Sequence, residues 1–132
     1  MARPKAEYPT PIELEVLKIL WESGPRNIRQ VWEVLNQQRR RHYTSVASLL
    51  ATMAEKGMLN AETLGRTLVY RAAIAQEETL GEMIEDLVDR AFAGSASALV
   101  LQVLDQCSPS AEEMDAIAKF IREHRKRKGE KP

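Results

Sequence analysis

Apolar positions follow a helical period through most of this chain, and that period breaks once. Ile12, Val16, Ile19 and Leu20 form one stripe, widened by Leu14, Leu17 and Trp21. Ile28, Val31, Trp32 and Leu35 recur at i, i+3, i+4 and i+7, and Val46, Leu49, Leu50 and Met53 repeat that spacing. Three amphipathic helices are therefore predicted. Thr10-Pro11 starts the first, with Thr10 as cap, Pro11 where a missing N–H does no harm, and Glu13 at capping-box spacing. Ser23-Gly24-Pro25 ends it. Asn27 caps the second helix, and Gly57 closes the third, which spans residues 44–56. Between Leu59 and Ala72 the period changes. Leu59, Ala61 and Thr63 alternate with Asn60, Glu62 and Leu64, and Thr67 to Ala72 is rich in β-formers after Gly65-Arg66. Two short strands around a glycine turn read as a hairpin.

Beyond residue 75 the pattern is helical only. Leu80, Met83, Ile84, Leu87, Val88, Ala91 and Phe92 make a stripe that Gly94-Ser95 interrupts. Leu99, Val100, Val103 and Leu104 make a shorter one, ended by Ser108-Pro109-Ser110. Ser110 and Glu113 repeat the capping-box spacing, opening a helix with Met114, Ile117, Ala118 and Ile121 on one face. The last stretch, HRKRKGEKP, reads as a frayed basic tail. Three short helices without a sheet have little to bury against each other, so their stripes are expected to meet a second copy of the chain. The residues expected there are Leu80, Met83, Ile84, Leu87, Val88, Phe92, Leu99, Val100, Val103, Leu104, Ile117 and Ile121.

Three helices followed by a hairpin is the winged helix-turn-helix layout. The expected fold is mostly α: a winged-helix unit over residues 8–75 and a small all-helical dimerisation unit over 76–125. Residues 1–7 and 126–132 are left as flexible tails.

Charge adds a division of labour that the zero net charge hides. Residues 1–75 carry eleven Lys/Arg against seven Asp/Glu, whereas residues 76–132 carry eight against twelve. The basic half suits a polyanion, and the acidic half does not. No apolar run approaches membrane-span length, and the N-terminal residues lack an apolar signal core, so a cytoplasmic location without membrane contact is expected. Cys107 is the single cysteine, which agrees with a reducing compartment. His42, His124 and Cys107 are too scattered for a metal site, and no cofactor is expected. No P-loop, dinucleotide fingerprint, HExxH or nucleophile-elbow motif is present, which argues against an enzyme.

The third helix carries the candidate chemistry. With its stripe packed inward, its outward face holds Thr44, Ser45, Ala47, Ser48, Ala51 and Thr52. An exposed helix face is normally charged, and this one is not. Short hydroxyl and methyl side chains let a helix sit deep in a major groove, where hydroxyls exchange hydrogen bonds with base edges and methyls meet thymine methyls. Such a face supplies little affinity. That role falls to Arg39, Arg40, Arg41, Tyr43, Lys56 and Arg71 as phosphate contacts and to Arg66 at the wing, in reach of a minor groove. The rival reading is a winged helix used for protein–protein contact. A pocket for a small regulatory molecule is disfavoured by the small size of the C-terminal segment.

The run PTPIELEVLKILWESGPRNIRQVWEVLNQ, then YTSVASLLATMAEKGML, then LVYRA resembles the BlaI/MecI family of penicillinase repressors. The likeness continues through AFAGSASALVLQVLD and PSAEEMDAIAKFI, from Tyr8 to Ile121. The resemblance implies a winged-helix DNA-binding domain, a helical dimerisation domain, and repression at inverted-repeat operators. It also implies an inducer-activated protease system that cuts the repressor in its C-terminal domain. The pair aligned with the family's Asn-Phe cleavage bond is Gln102-Val103, and the Ala93-Gly94 break is an alternative. Two departures stand out. The family's reading helix carries a basic residue near Thr44 or Ala47 and an arginine where this chain has Thr52, and the cysteine cluster of the copper-responsive relatives is absent.

Overall fold

A computed structural model describes residues 8–129, so the tail expected at residues 1–7, and residues 130–132 of the tail expected at 126–132, lie outside the described residues. The elements run α1 (Pro11–Ser23), β1 (Arg26–Asn27), α2 (Ile28–Gln38), α3 (Tyr43–Glu55), β2 (Leu59–Leu64), β3 (Thr67–Ala72), α4 (Gln76–Ala91), α5 (Ala96–Cys107) and α6 (Ala111–Arg127). The chain divides between Glu85 and Asp86 into two compact units, a division that falls inside α4 rather than ahead of it.

Local chemistry sets the helix boundaries. Thr10 accepts from the Glu13 N–H while Glu13 accepts from the Thr10 N–H at 2.9 Å, a complete capping box. Asn27 and Gln30 close a second box at the start of α2, where the sequence suggested only a lone asparagine cap. Ser110 and Glu113 close a third at α6. Gly24 ends α1 at φ 80°, a backbone angle costly for any side chain with a Cβ.

The first unit is the winged helix-turn-helix expected. Val16, Leu17 and Leu20 of α1, Val31 and Leu35 of α2, and Val46, Leu50 and Met53 of α3 meet in one core closed by Met58, Leu59 and Tyr70. Trp21 and Trp32 pack on its edge, and their ring N–H groups reach backbone carbonyls of Ile74 (2.9 Å) and Arg41 (2.8 Å). Sheet order is β1-β3-β2, antiparallel throughout, with Leu59 opposite Ala72 and Leu64 opposite Thr67. The two-residue hairpin loop places Gly65 at φ 65° while Arg66 keeps a negative φ, the pattern of a type II′ turn. Strand β1 was not expected. It is two residues long, pairs Arg26 with Tyr70 and Asn27 with Val69, and is too short to show alternation.

In the second unit, α5 and α6 contain no buried residue. The basic stretch expected to fray is instead helical through Arg127. The Phe120 and His124 rings and the Arg127 guanidinium stack along one side of that stretch.

Candidate nucleic-acid interface

Core packing fixes the rotation of α3. With Val46, Leu50 and Met53 buried, Thr44, Ser45, Ser48, Ala51 and Thr52 stand exposed and Ala47 is half-buried. The predicted reading face is thus a solvent face of small side chains. Glu55 shares it, three residues after Thr52 and seven after Ser48, and sequence reasoning missed that placement. A carboxylate there can accept from a cytosine amino group and repels phosphate.

The entry to α3 is held from α2. The Arg41 N–H donates to Asn36 Oδ1 at 2.9 Å, and the Arg41 carbonyl accepts from Trp32 Nε1. The Tyr43 ring meets Trp32 edge-on, centroids 6.0 Å apart. Arg39 and Arg40 stand exposed, whereas Arg41 is half-buried and its Nε is shielded without a hydrogen-bond partner. Two open depressions flank this turn. One of about 340 Å³ is lined by Arg39, Arg40, Arg41, His42, Ser45, Val46 and Leu49. The other, of about 490 Å³, is lined by Trp32, Asn36, Arg40, Arg41, His42 and Tyr43. Three guanidinium groups therefore gather at the start of the bare helix face.

Lys56, expected as a phosphate contact, also makes an ion pair within the fold. Its Nζ lies 2.7 Å from Glu13 Oε2, and Glu13 is only 3 % exposed. Burial opposes the charge on Glu13. The Lys56 hydrogen bond, the Thr10 N–H, the Lys56 charge and the Thr10 hydroxyl together outweigh that and hold its carboxyl below the usual glutamate range. The pair uses one of the three N–H donors of the ammonium and holds the side chain toward Glu13. Sequence reading missed Glu13 as a buried group because its capping role explained it already.

On the wing, Arg66 occupies the exposed turn and Arg71 lies 3.7 Å from Glu62 across the strands, an exposed and weak pair. Of the expected dimer-face residues, Leu80, Ile84, Leu87, Val100, Val103, Ile117 and Ile121 are exposed or nearly so, while Met83, Val88, Phe92, Leu99 and Leu104 are half-buried. Leu101 and Phe120, not singled out from sequence, are the most exposed large apolar residues at 62 % and 59 %. The Gln102-Val103 bond lies inside α5, and Ala93-Gly94 lies in the turn before it, with φ 51° and 81°. Among the described residues no group of three His, Cys, Asp or Glu is placed to hold a metal ion, and no single helix is long and apolar enough to cross a membrane.

The sequence model of a family described as penicillinase repressor matches residues 9–123. The chain belongs to the penicillinase repressor family. It is similar to the penicillinase repressor of Bacillus licheniformis, 27% identical over 118 residues that cover 89% of this chain and 92% of that one. It is also 27% identical to the transcriptional regulator BlaI of Mycobacterium tuberculosis, over 92% of this chain and 88% of that one. A solution structure of the DNA binding domain of the repressor BlaI aligns at 26% identity and a TM-score of 0.49, covering 58% of this chain and 93% of that chain. Penicillinase repressors are transcription regulators, and this chain is a transcriptional repressor of the BlaI type.

Proposed function

We propose that this penicillinase repressor binds inverted-repeat operators as a homodimer. Each winged unit lays α3 in a major groove, with Thr44, Ser45, Ala47, Ser48 and Thr52 toward base edges. Arg39, Arg40 and Arg41 anchor the helix start on phosphates, and Arg66 carries the wing. Residues 76–125 join the two copies. The observation that carries this reading is the juxtaposition at α3 of an exposed face of small side chains with an arginine cluster at its start. A merely solvated helix gains nothing from such a face, whereas a helix entering a groove needs one. Lys56 is left out of the contact set, since its ion pair holds the side chain toward Glu13.

Repression ends, in this reading, by a proteolytic cut in the C-terminal unit. A protease takes its substrate extended, so a cut at Gln102-Val103 requires α5 to open locally. The Ala93-Gly94 bond lies outside any helix and needs less opening. Either cut separates α6 from the DNA-binding unit. Two linked half-site contacts then become two independent ones, and the gain from effective concentration disappears.

Binding measured by anisotropy against salt, with duplex carrying an inverted repeat, tests the function. A steep fall of affinity with salt and preference for the repeat over scrambled duplex are expected. Salt-insensitive or absent binding favours the protein-contact reading instead. Mass mapping of fragments after incubation with induced cell extract tests the switch; an intact chain that still leaves its operator rules proteolysis out.

A further inference from the structure

Two side chains of α2 grip the peptide units on either side of the Arg41 α-carbon. The Arg41 N–H donates to Asn36 Oδ1 at 2.9 Å, and the Arg41 carbonyl accepts from Trp32 Nε1 at 2.8 Å. Trp32 and Asn36 are four residues apart, so they stand one turn apart on one face of α2. One supplies the donor and the other the acceptor that a chain passing alongside requires. A backbone N–H can only donate, so the Asn36 oxygen, not its amino group, faces Arg41. The Tyr43 ring lies edge-on to Trp32 at the end of the same turn.

The start of α3 depends on that grip. Thr10, Asn27, Ser95 and Ser110 cap α1, α2, α5 and α6 with side-chain hydrogen bonds, whereas His42 gives α3 none. A helix start without such a cap frays more readily. The core anchors of α3 begin only at Val46. Tyr43, Thr44 and Ser45 therefore form a first turn ahead of any buried residue of the helix, and all three are exposed. Ser48 and Thr52 stand instead within the span that Val46, Leu50 and Met53 fasten to the core.

We infer that Asn36 and Trp32 are positioning residues for base reading, and that they govern what the first turn of α3 reads. The inference rests on the base-reading role proposed for that helix. With Arg41 held on both sides, the chain enters α3 along one path, and the Thr44 and Ser45 hydroxyls reach the groove at fixed places. Released, the uncapped turn frays and the same hydroxyls sample several places. A hydrogen bond that distinguishes one base from another needs its length and angle met closely. Attraction between the Arg39 and Arg40 charges and phosphates does not. The loss therefore falls on specificity rather than on affinity, and on one part of each half-site rather than on all of it.

The test measures base preference in the full chain, by competition among single-base variants of the duplex that selection from a random library returns. Ser45→Ala and Ser48→Ala mark the base positions that the two hydroxyls read. Asn36→Leu removes the acceptor at similar size, and Trp32→Phe removes the donor while keeping a ring against Tyr43. Circular dichroism sets a temperature at which each variant is folded. Both should lose about five-fold preference, the scale of one base contact, at the Ser45 position, and both should keep the preference at the Ser48 position. Asn36→Asp, whose carboxylate still accepts from the Arg41 N–H, should keep both preferences while binding every duplex more weakly. Asn36→Leu and Trp32→Phe proteins that keep the Ser45 preference, or that lose both preferences equally, overturn the positioning role and leave base reading by α3 standing. So does loss of the Ser45 preference in Asn36→Asp. A wild-type protein without base preference at either position overturns the base-reading proposal and this inference with it.

Discussion

Leu50 and Ile121 hold equivalent places on the apolar stripes of α3 and α6, yet Leu50 is fully buried and Ile121 is half exposed. The difference lies in what surrounds each helix. Around α3, two further helices and a hairpin converge, and eleven buried apolar residues close a core within the first unit. No comparable core forms around α6, although its stripe is as regular as that of α3. Amphipathic periodicity therefore reports that a face must be covered and says nothing about whether the same chain covers it. In the first unit the uncovered face is the one with no stripe, α3's hydroxyl side; in the second it is the stripe itself. In the proposed function the two exposed surfaces meet different partners, a polar groove for one and a second copy of the chain for the other.

The sharpest way to break the comparison is a charge at each of the two positions. Leu50→Asp buries an uncompensated carboxylate in the core and should cost about 4 kcal/mol or more, unfolding the winged unit. Ile121→Asp should leave that unit folded and dissociate the dimer. Circular dichroism melts read the first effect and sedimentation the second. Equal loss of structure in both variants would show that the units do not differ as described.

Next in size is the ion pair under α3. Lys56→Met leaves the buried Glu13 without its strongest partner and should cost about 1–3 kcal/mol in chemical denaturation, while leaving the salt dependence of DNA binding unchanged. The wild-type protein should also show the pair in its pH dependence. The Glu13 carboxyl is held below its usual range in the folded state. Its contribution is therefore full above the unfolded glutamate value near about 4.3 and is lost as pH falls through the lower folded value. Denaturation midpoints taken downward from about pH 6, well above that unfolded value, should drop for the wild type and drop less for Lys56→Met.

Changing Arg39, Arg40 and Arg41 together to Ala should weaken binding to all duplexes alike and flatten the salt slope by about one unit for each phosphate no longer neutralised. Glu55→Gln should do the opposite, tightening binding a few-fold on every sequence. Smallest is Ser48→Ala, expected to shift base preference at about one position per half-site by roughly 1 kcal/mol, read by competition among single-base variants of the operator.

Much of this was legible in the sequence because it is local. Thr10 with Glu13 and Ser110 with Glu113 sit three residues apart, within one turn, and each box formed. The stripes of α1 to α3 and the Gly65-Arg66 turn are equally short-range signals. What escaped reading is non-local. Lys56 and Glu13 are far apart in the chain, and each had a sufficient local explanation. Strand β1 exists only because β3 lies beside it. The basic end of α6 reads as frayed because a charge run shows no period, yet it is helical, with Arg127 stacked on Phe120 two turns before it. The candidate base-reading face could be named from sequence, whereas Glu55 joins it through its angle on the helix, which puts it with Ser48 and Thr52.

If α3 and the arginines before it read DNA while a second copy supplies the other half-site, the full-length protein should select its own operator. Selection of bound duplexes from a random library should then return two inverted half-sites at a fixed separation. The same sequences should be returned at lower yield by the Arg39, Arg40 and Arg41 triple change, and at undiminished yield by Lys56→Met at temperatures where that variant stays folded. Enrichment of a single half-site without a repeat, or of no sequence at all, would contradict the paired-reading mechanism.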